Sequence, residues 1–547
     1  MSAGTRAADA PAADDRERTG RVRVSPARLA RLAGCAVAAA VFFFACLRLA
    51  GTQPVISDGA NNALQAWQML HGSLLLHGWW MTDVSFYTTE LPGYMLVEAV
   101  AGLRPEVVHI CAALTYALLV LLAAFVARGR ARGAEGVVRA LLVGGIMLAP
   151  APGGTAAVLL TSPDHVGTGV PVLLLMLLLD RAPRRWYTPV AAGVLLAWGL
   201  VGDPLILAVG VVPVVAVCLA RAALALARRR MLWYELGLAC AAGLAVPAAD
   251  AASRLIVALG GFQVRTNRAT LVPPSVWPGN VQWTVRSFLS LFGADVAGAQ
   301  GGLNEAFAIV HLAGAVLVAA AVVLGAWRLV RSLRPGATPA DLVADLLVAA
   351  IVANIAAYFV LYRITYIYAA HEIGPVASLG AALAGRLFGG PLLRARVVPA
   401  LAAGLACYAV MLGFAATGEQ AAPGNAAVTV WLSQHGLRDG LGSYWEAASV
   451  TLDSGGAITV GSVHPTSTGL SPWRWMADMR VFSPAGHSAD FFISMPGDSV
   501  TPAMASAAFG PPAVVYHYQA YTIMVWHKNL LRELGPPFPA IPGQQRS

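Results

Sequence analysis

What most constrains this chain is a recurrence: long apolar runs, repeated along its length, are separated by short connections in which arginines gather. A helix that crosses a bilayer needs about 20 apolar residues, because its backbone must satisfy its own hydrogen bonds where no water is available. By that measure the sequence predicts about eleven spans, at approximately 31–50, 107–127, 136–151, 166–180, 187–202, 204–224, 233–258, 305–328, 341–361, 372–388 and 397–417. The apolar stretch 91–103 is too short to cross and is expected to be re-entrant or interfacial. Composition agrees, with 12% charged residues against about 25% in soluble domains.

The arginines set an orientation. Arg128, Arg130, Arg132 and Arg139 follow the second span, and Arg181, Arg184 and Arg185 follow the fourth. Arg221 and Arg228 to Arg230, then Arg328, Arg331 and Arg334, and finally Arg386, Arg394 and Arg396 continue the alternation. Cytoplasmic loops carry such an excess, so the N-terminus is expected inside and the C-terminus outside. The net charge of +9 is thereby accounted for by topology. No basic stripe with interleaved aromatics suggests nucleic acid. All six cysteines lie in apolar segments and read as small buried hydrophobes, with no disulfide framework.

Three regions are expected: a disordered cytoplasmic arm over 1–28, a membrane domain over 29–418 whose first outer loop is 51–104, and an extracytoplasmic α/β domain over 419–547. In the last, "NAAVTVWLSQHGL" reads as a helix, while "SVTLDSGGAITVGSV" reads as two strands around a Ser-Gly-Gly turn. "VVYHYQAYTIMVW" reads as a second hairpin, and Trp473, Trp475 and Trp526 are expected to dock the domain on the membrane part.

On this topology the chemically capable residues gather on the outer side. The first loop holds Asp58, Asp83 and Glu90. In "SDGANNALQAWQMLHG", Asn61, Gln65 and Gln68 recur at helical spacing opposite Ala63, Trp67 and Leu70, which suits a helix lying in the membrane interface. Ser57 or Asp58 would serve equally well as its N-cap. Trp79-Trp80 reads first as an interfacial anchor and second as a sugar-stacking platform. "TSPDHVG" offers Asp164 and His165, for which capping of the following span is the plain alternative. "YRITYIYAAHEIGP" offers Arg363, His371 and Glu372, and the long loop 259–304 offers Arg265 and Arg268. A charge at mid-bilayer costs about 2.5–3.5 kcal/mol, so Glu372 should meet water or a polar cavity. Asp250 and Arg254, four apart, read as a structural ion pair, and Asn354 as interhelical glue.

An acid just past the first span, an amphipathic outer helix, a "G…L…GW" segment and an aromatic-rich loop together resemble the GT-C membrane glycosyltransferases, a superfamily that includes bacterial protein O-mannosyltransferases, aminoarabinose transferases and arabinosyltransferases. "YAAHEIGPVASLGAALAGR" is likewise similar to a late loop-and-helix segment of bacterial members. The resemblance spans roughly 30–417. It implies an α-helical polytopic membrane protein of GT-C-like fold with an outer C-terminal domain. Many members carry an acidic pair at the first-loop position, where this chain has Ser57-Asp58-Gly59. A second acid must then come from elsewhere, with Asp83 and Glu90 as the candidates.

Moving a sugar from a polyprenyl phosphate to an extracytoplasmic glycan, lipid or protein requires a base for the acceptor hydroxyl and cations for the departing phosphate. Asp58 suits the first role, assisted by Asp83 or Glu90. Arg265, Arg268 and Arg363 suit the second, although an outer arginine also serves as a headgroup anchor. Asp164, His165, His371 and Glu372 complete the expected substrate-binding set. A divalent metal is compatible with these residues and not required by them. Two other classes share the architecture: a non-catalytic envelope protein, and a secondary transporter, which internal repeats and broken helices would favour and which this sequence does not display.

Overall fold

The computed structural model describes residues 26–162, 164–265, 270–299, 301–334, 341–421 and 425–538. Residues 1–25 of the expected arm, and Arg268, lie outside the described residues. Helix α1 (Pro26–Ala50) opens the chain, and its part up to Phe42 forms a unit of its own. Everything below concerns the second unit, from Phe43 onward.

The first loop folds into α2 (Ser57–Leu70), β1 (Trp79–Trp80) and α3 (Leu91–Ala101). There follow α4 (Glu106–Arg128), α5 (Gly133–Met147), the short α6 (Gly154–Leu159), α7 (Gly169–Arg181) and α8 (Tyr187–Gly202). Next come α9 (Val212–Ala227), α10 (Trp233–Ala258), α11 (Trp277–Leu291), α12 (Gly302–Ser332), α13 (Leu342–Leu361), α14 (Pro375–Arg394) and α15 (Val398–Ala415). Each of the eleven expected spans carries a helix, and among the described residues eight helices are long and apolar enough to cross a membrane. The other three, α5, α7 and α8, have 15, 13 and 16 residues, short of the usual crossing length. The sixth stretch begins as a π-helical turn, Leu207–Val211, directly before Pro213; a widened turn suits a residue with no N–H to donate.

The bundle has two chemically distinct ends. Where α14 finishes and α13 begins, Arg386 binds Asp180 of α7 at 3.1 Å and Asp341 at 2.6 Å, and Arg221 binds Asp345 at 2.7 Å. At the other ends of these same helices lie the turn before α7, the loop after α8, the segment before α14 and the first loop.

The C-terminal region contains α16 (Ala426–Gln434), β2 (Asp439–Gly442), α17 (Tyr444–Asp453), β3 (Thr459–Thr466), β4 (Gly469–Pro472), β5 (Ala477–Asp478), β6 (Phe491–Ser494), α18 (Pro502–Phe509), β7 (Val514–Tyr518) and β8 (Tyr521–Val525). Six strands form a mixed sheet in the order β4-β3-β2-β6-β8-β7, with β2 parallel to both neighbours. Val428, Leu432 and Val450 pack on one face, against Ile493 and Ile523. Phe509 and Leu530 pack on the other, against Phe492 and Met524. Separately, β1 pairs antiparallel with β5, which ties the first loop to this region.

Several expectations change. "SVTLD" is helical: α17 follows Ser443 and carries Glu446 in its first turn, and it buries Ala447, Ala448 and Leu452 at helical spacing, while the Ser-Gly-Gly that follows forms the expected turn. Only the second half of that stretch is a strand, whereas the β7–β8 hairpin forms as expected. Trp526 belongs to the core of the sheet, 4% exposed with its indole N–H on Gly510, so it does not dock the domain. Trp473 and Trp475 do pack against first-loop residues such as Leu76 and Met81. Trp79 is 3% exposed in that same cluster, a core residue and not an interfacial anchor. Helix α2 does not lie on a surface: nine of its 14 residues are buried, because α3, α4 and α17 all pack against it.

Candidate active site

The N-terminus of α2 meets the N-terminus of α17. Ser57 Oγ lies 2.7 Å from the carbonyls of both Tyr444 and Trp445, so its proton is spent on α17. The residue preceding α2 is Ile56, and no side chain caps the helix; the capping role expected for Ser57 or Asp58 is not taken up. Asp58 instead accepts a hydrogen bond from the Tyr444 hydroxyl. One turn on, Asn62 Nδ2 donates to Asp164 Oδ1 at 3.2 Å, joining the first loop to the turn before α7.

That turn holds His165 in a left-handed conformation, φ +55°, which for a residue with a Cβ stores strain of the kind found at functional sites. Its Nδ1 lies 2.9 Å from Asp203 Oδ2, and Thr168 Oγ1 donates to the same oxygen. Asp203 is placed by its sequence: Pro204 keeps it extended, at φ −148° and ψ 114°, and Leu205 N donates to its Oδ1 at 2.8 Å in an Asx turn. The other face of His165 stacks on His371 at 5.4 Å and 2°. Glu372 lies between the two rings, 3.7 Å from His165 Nε2 and 3.8 Å from His371 Nε2. A 3₁₀ segment, Ile367–Ile373, presents this pair, and Asn354 holds it by donating to the Glu372 carbonyl at 3.0 Å. Glu372 thus faces a polar pocket, not lipid.

Glu90 enters from the N-terminus of α3 with both carboxylate oxygens buried and without a hydrogen-bond partner. Gly167 admits it: a Cβ there would stand 2.7 Å from Glu90 Oε1. No arginine or lysine forms an ion pair with Asp58, Glu90, Asp164, Asp203 or Glu372 among the described residues.

The electrostatics follow from burial and crowding. Burial raises the Asp58 carboxyl above its usual range, opposed by the Tyr444 hydrogen bond and by His165. Burial and the neighbouring Asp58 push Asp164 up to about 7. Glu90 is raised well above its ordinary value by burial and by Asp203. Burial would also raise Asp203, yet His165, Thr168 and the Leu205 amide bring it below the ordinary carboxylate value. Burial pulls down on the His165 imidazole, but Asp203 and Glu372 reverse this and hold its proton well above the usual pH. His371 remains lowered, chiefly by burial.

Of the residues singled out from sequence, Asp58, Glu90, Asp164, His165, His371 and Glu372 therefore come together. Asp83 follows β1 in the first loop, and its charge acts on the Tyr362 hydroxyl together with that of Glu372. Arg265 lies with its guanidinium 5.5 Å over the Trp475 ring, and Arg363 is exposed. Asp164 is an acid near enough to Asp58 for the Asp58 charge to raise it. Asp203, Asn62 and Tyr444 went unnamed. An Asp-Pro closing an apolar helix was the available signal for Asp203; Tyr444, 386 residues from Asp58, had none.

A divalent ion has an eligible seat. Ligand atoms of His165, His371 and Glu372 lie within 4.8 Å of one another, and two imidazoles with a carboxylate suit zinc and similar metals.

No protein-family model matches the chain, and no curated protein matches it. Among solved structures it is similar to ArnT from Cupriavidus metallidurans bound to undecaprenyl phosphate, with a TM-score of 0.49 and 13% identity over 93% of this chain and 99% of that one. It is also similar to the oligosaccharyltransferase of Archaeoglobus fulgidus, with a TM-score of 0.44 and 13% identity over 89% of this chain and 72% of that one.

Proposed function

We propose that the protein is a membrane glycosyltransferase that moves a sugar from a polyprenyl-phosphate donor to an acceptor outside the cytoplasm. One observation carries the reading: buried and half-buried acids and imidazoles from five separate segments converge at a single end of a membrane bundle, beneath α17. Stability alone would not assemble them, since buried ionisable groups cost free energy unless paired.

Asp58 is the general base. Its carboxylate takes the proton of the acceptor hydroxyl, the acceptor oxygen bonds to the anomeric carbon, and the bond from that carbon to the phosphate oxygen breaks. A raised pKa makes Asp58 a stronger base than an exposed aspartate. Asp164, linked through Asn62, is the second acid. The departing phosphate needs positive charge, and five carboxyls against two imidazoles leave the site anionic. His165, His371 and Glu372 would hold a divalent ion, which would supply that charge when bound, with Arg363 at the exposed rim as a contact for the lipid phosphate. This chemistry belongs outside the cytoplasm, with the arginine-rich connections inside.

Purified protein in liposomes loaded with polyprenyl-phosphate sugars provides the test. Transfer should fall at least ~100-fold in Asp58→Asn, with the unfolding midpoint retained. Undiminished transfer by a folded Asp58→Asn protein would overturn the assignment, and donor-independent solute flux would point to a transporter instead.

A further inference from the structure

A second concavity lies behind the carboxylates. Helix α2, α17, β3 and the β5 segment enclose a cavity of 320 Å³, within the size range of small-molecule sites. It shares Tyr444 and Asn61 with the carboxylate site: Tyr444 lines the cavity with its ring while its hydroxyl reaches Asp58, and Asn61 sits one turn beyond Asp58 on α2. Gly455 and Gly456, both exposed, form part of its rim.

We infer that this cavity receives an uncharged sugar unit of the acceptor, an inference that rests on the function proposed above. The lining offers what a sugar ring needs and little that another ligand could use. Trp67, half-exposed on α2, supplies an aromatic surface for the C–H side of a ring, beside the buried Trp79. Thr459 and Ser462 belong to the lining, and neither makes a side-chain hydrogen bond among the described residues, so this wall keeps polar groups for a ligand.

Charge excludes the alternatives. The one ionised side chain on the wall is Asp478, and it is already held by Arg480 at 2.7 Å. That guanidinium is in turn occupied by Asp478 and by Gln68, at 2.5 Å. Gln68 is itself committed, accepting from Trp79 Nε1 at 2.9 Å and donating to Asp478 at 3.0 Å. A phosphate would find no available cation. An acyl chain would leave the polar groups of this wall unpaired. A neutral polyol with apolar ring faces leaves nothing unpaired.

The experiment uses the full-length protein in nanodiscs, with methyl glucopyranoside, methyl mannopyranoside and methyl galactopyranoside as neutral probes and glucose 1-phosphate as the charged one. Saturation-transfer NMR should show at least one neutral glycoside bound. Its affinity should drop roughly tenfold or more in Trp67→Ala, whose side chain is half-exposed, and in Thr459→Trp, which fills the cavity. Glucose 1-phosphate should bind no better than the neutral probes. Absence of binding by all three glycosides, or binding unchanged in both folded variants, would overturn the inference. The two readings fail separately. Glycoside binding lost in both variants, with no lipid-phosphate donor consumed by the wild type, would sink the transferase and leave the sugar site. Robust transfer with an unchanged acceptor KM in both variants would sink the sugar site and leave the transferase.

Discussion

The Tyr444 hydroxyl donates to the Asp58 carboxylate, so that a residue of the C-terminal region completes the environment of an acid in the first loop. The relationship has a sign. Burial raises the Asp58 carboxyl, while Tyr444 and His165 oppose the rise; the Asp58 charge in turn raises Asp164. A base must be deprotonated to act, so the acid limb of the kcat/KM profile marks this group. Tyr444→Phe keeps the ring and removes the donor. Hydrogen bonds to charged groups are worth ~1.5–3 kcal/mol, and one pH unit is ~1.4 kcal/mol. The limb should therefore move to higher pH by roughly one unit. A pH–rate profile of the variant checks this, and a limb that stays in place would remove Tyr444 from the machinery.

The His165, His371 and Glu372 cluster predicts dependence on a metal ion. Dialysis against a chelator should abolish transfer, and zinc or manganese should restore it. His371→Ala removes one of three ligands and should weaken metal binding at least ~10-fold, read directly by calorimetric titration of the stripped protein. Full activity and no heat of binding after stripping would leave the protonated His165 as the site's only internal cation.

Periodicity in the sequence made the membrane architecture legible, because a spanning helix announces itself through twenty consecutive residues whatever surrounds it. Residue type and position along the chain also pointed to Asp58, Asp164, His165, His371 and Glu372, each at the edge of an apolar run. What could not be read was which of these edges meet. Asp203 was hidden in "VGDP", a segment that looks like an ordinary helix ending until its second oxygen is seen on His165. Tyr444 was hidden further, since "SYWEAASVTLD" alternates well enough to pass for a strand, and only packing on α2 decides for a helix. Arg265 shows the converse: a lone outer arginine carries no sign in the sequence of the indole its guanidinium lies over, that of Trp475.

Glu98 gives a stability test independent of activity. It lies 2% exposed on α3 with both oxygens unpartnered, and burial pushes its carboxyl up to about 9. A raised folded-state value means that the folded protein holds a proton which the unfolded chain releases above pH ~4.5. Stability from this group is thus complete in mild acid and is lost as the pH climbs toward 9. Glu98→Gln mimics the protonated form. Its thermal midpoint should exceed the wild type's at pH 8 by roughly 2 °C or more and match it at pH 5. Equal midpoints at both values would show that Glu98 is ionised and solvated.

At the opposite end of the bundle, Arg386 joins three segments: Asp180 of α7, Asp341 before α13, and the Val126 carbonyl of α4 at 2.6 Å. Arg386 is 9% exposed, as is Asp180, so removing the guanidinium leaves a buried carboxylate without its counter-ion. Breaking such a pair costs ~3–5 kcal/mol. Arg386→Gln should lower stability by about that amount. Because α7 and α14 both run from this end to His165 and Glu372, two outcomes can be separated. If the network only holds the helices together, transfer per folded molecule will be unchanged while the unfolding midpoint drops. If it also sets the spacing of His165 and Glu372, metal affinity will fall in the same variant, and calorimetry on the folded fraction will register it. The carboxylate Asp180 contacts no residue of the outer site, so the first outcome is the expected one.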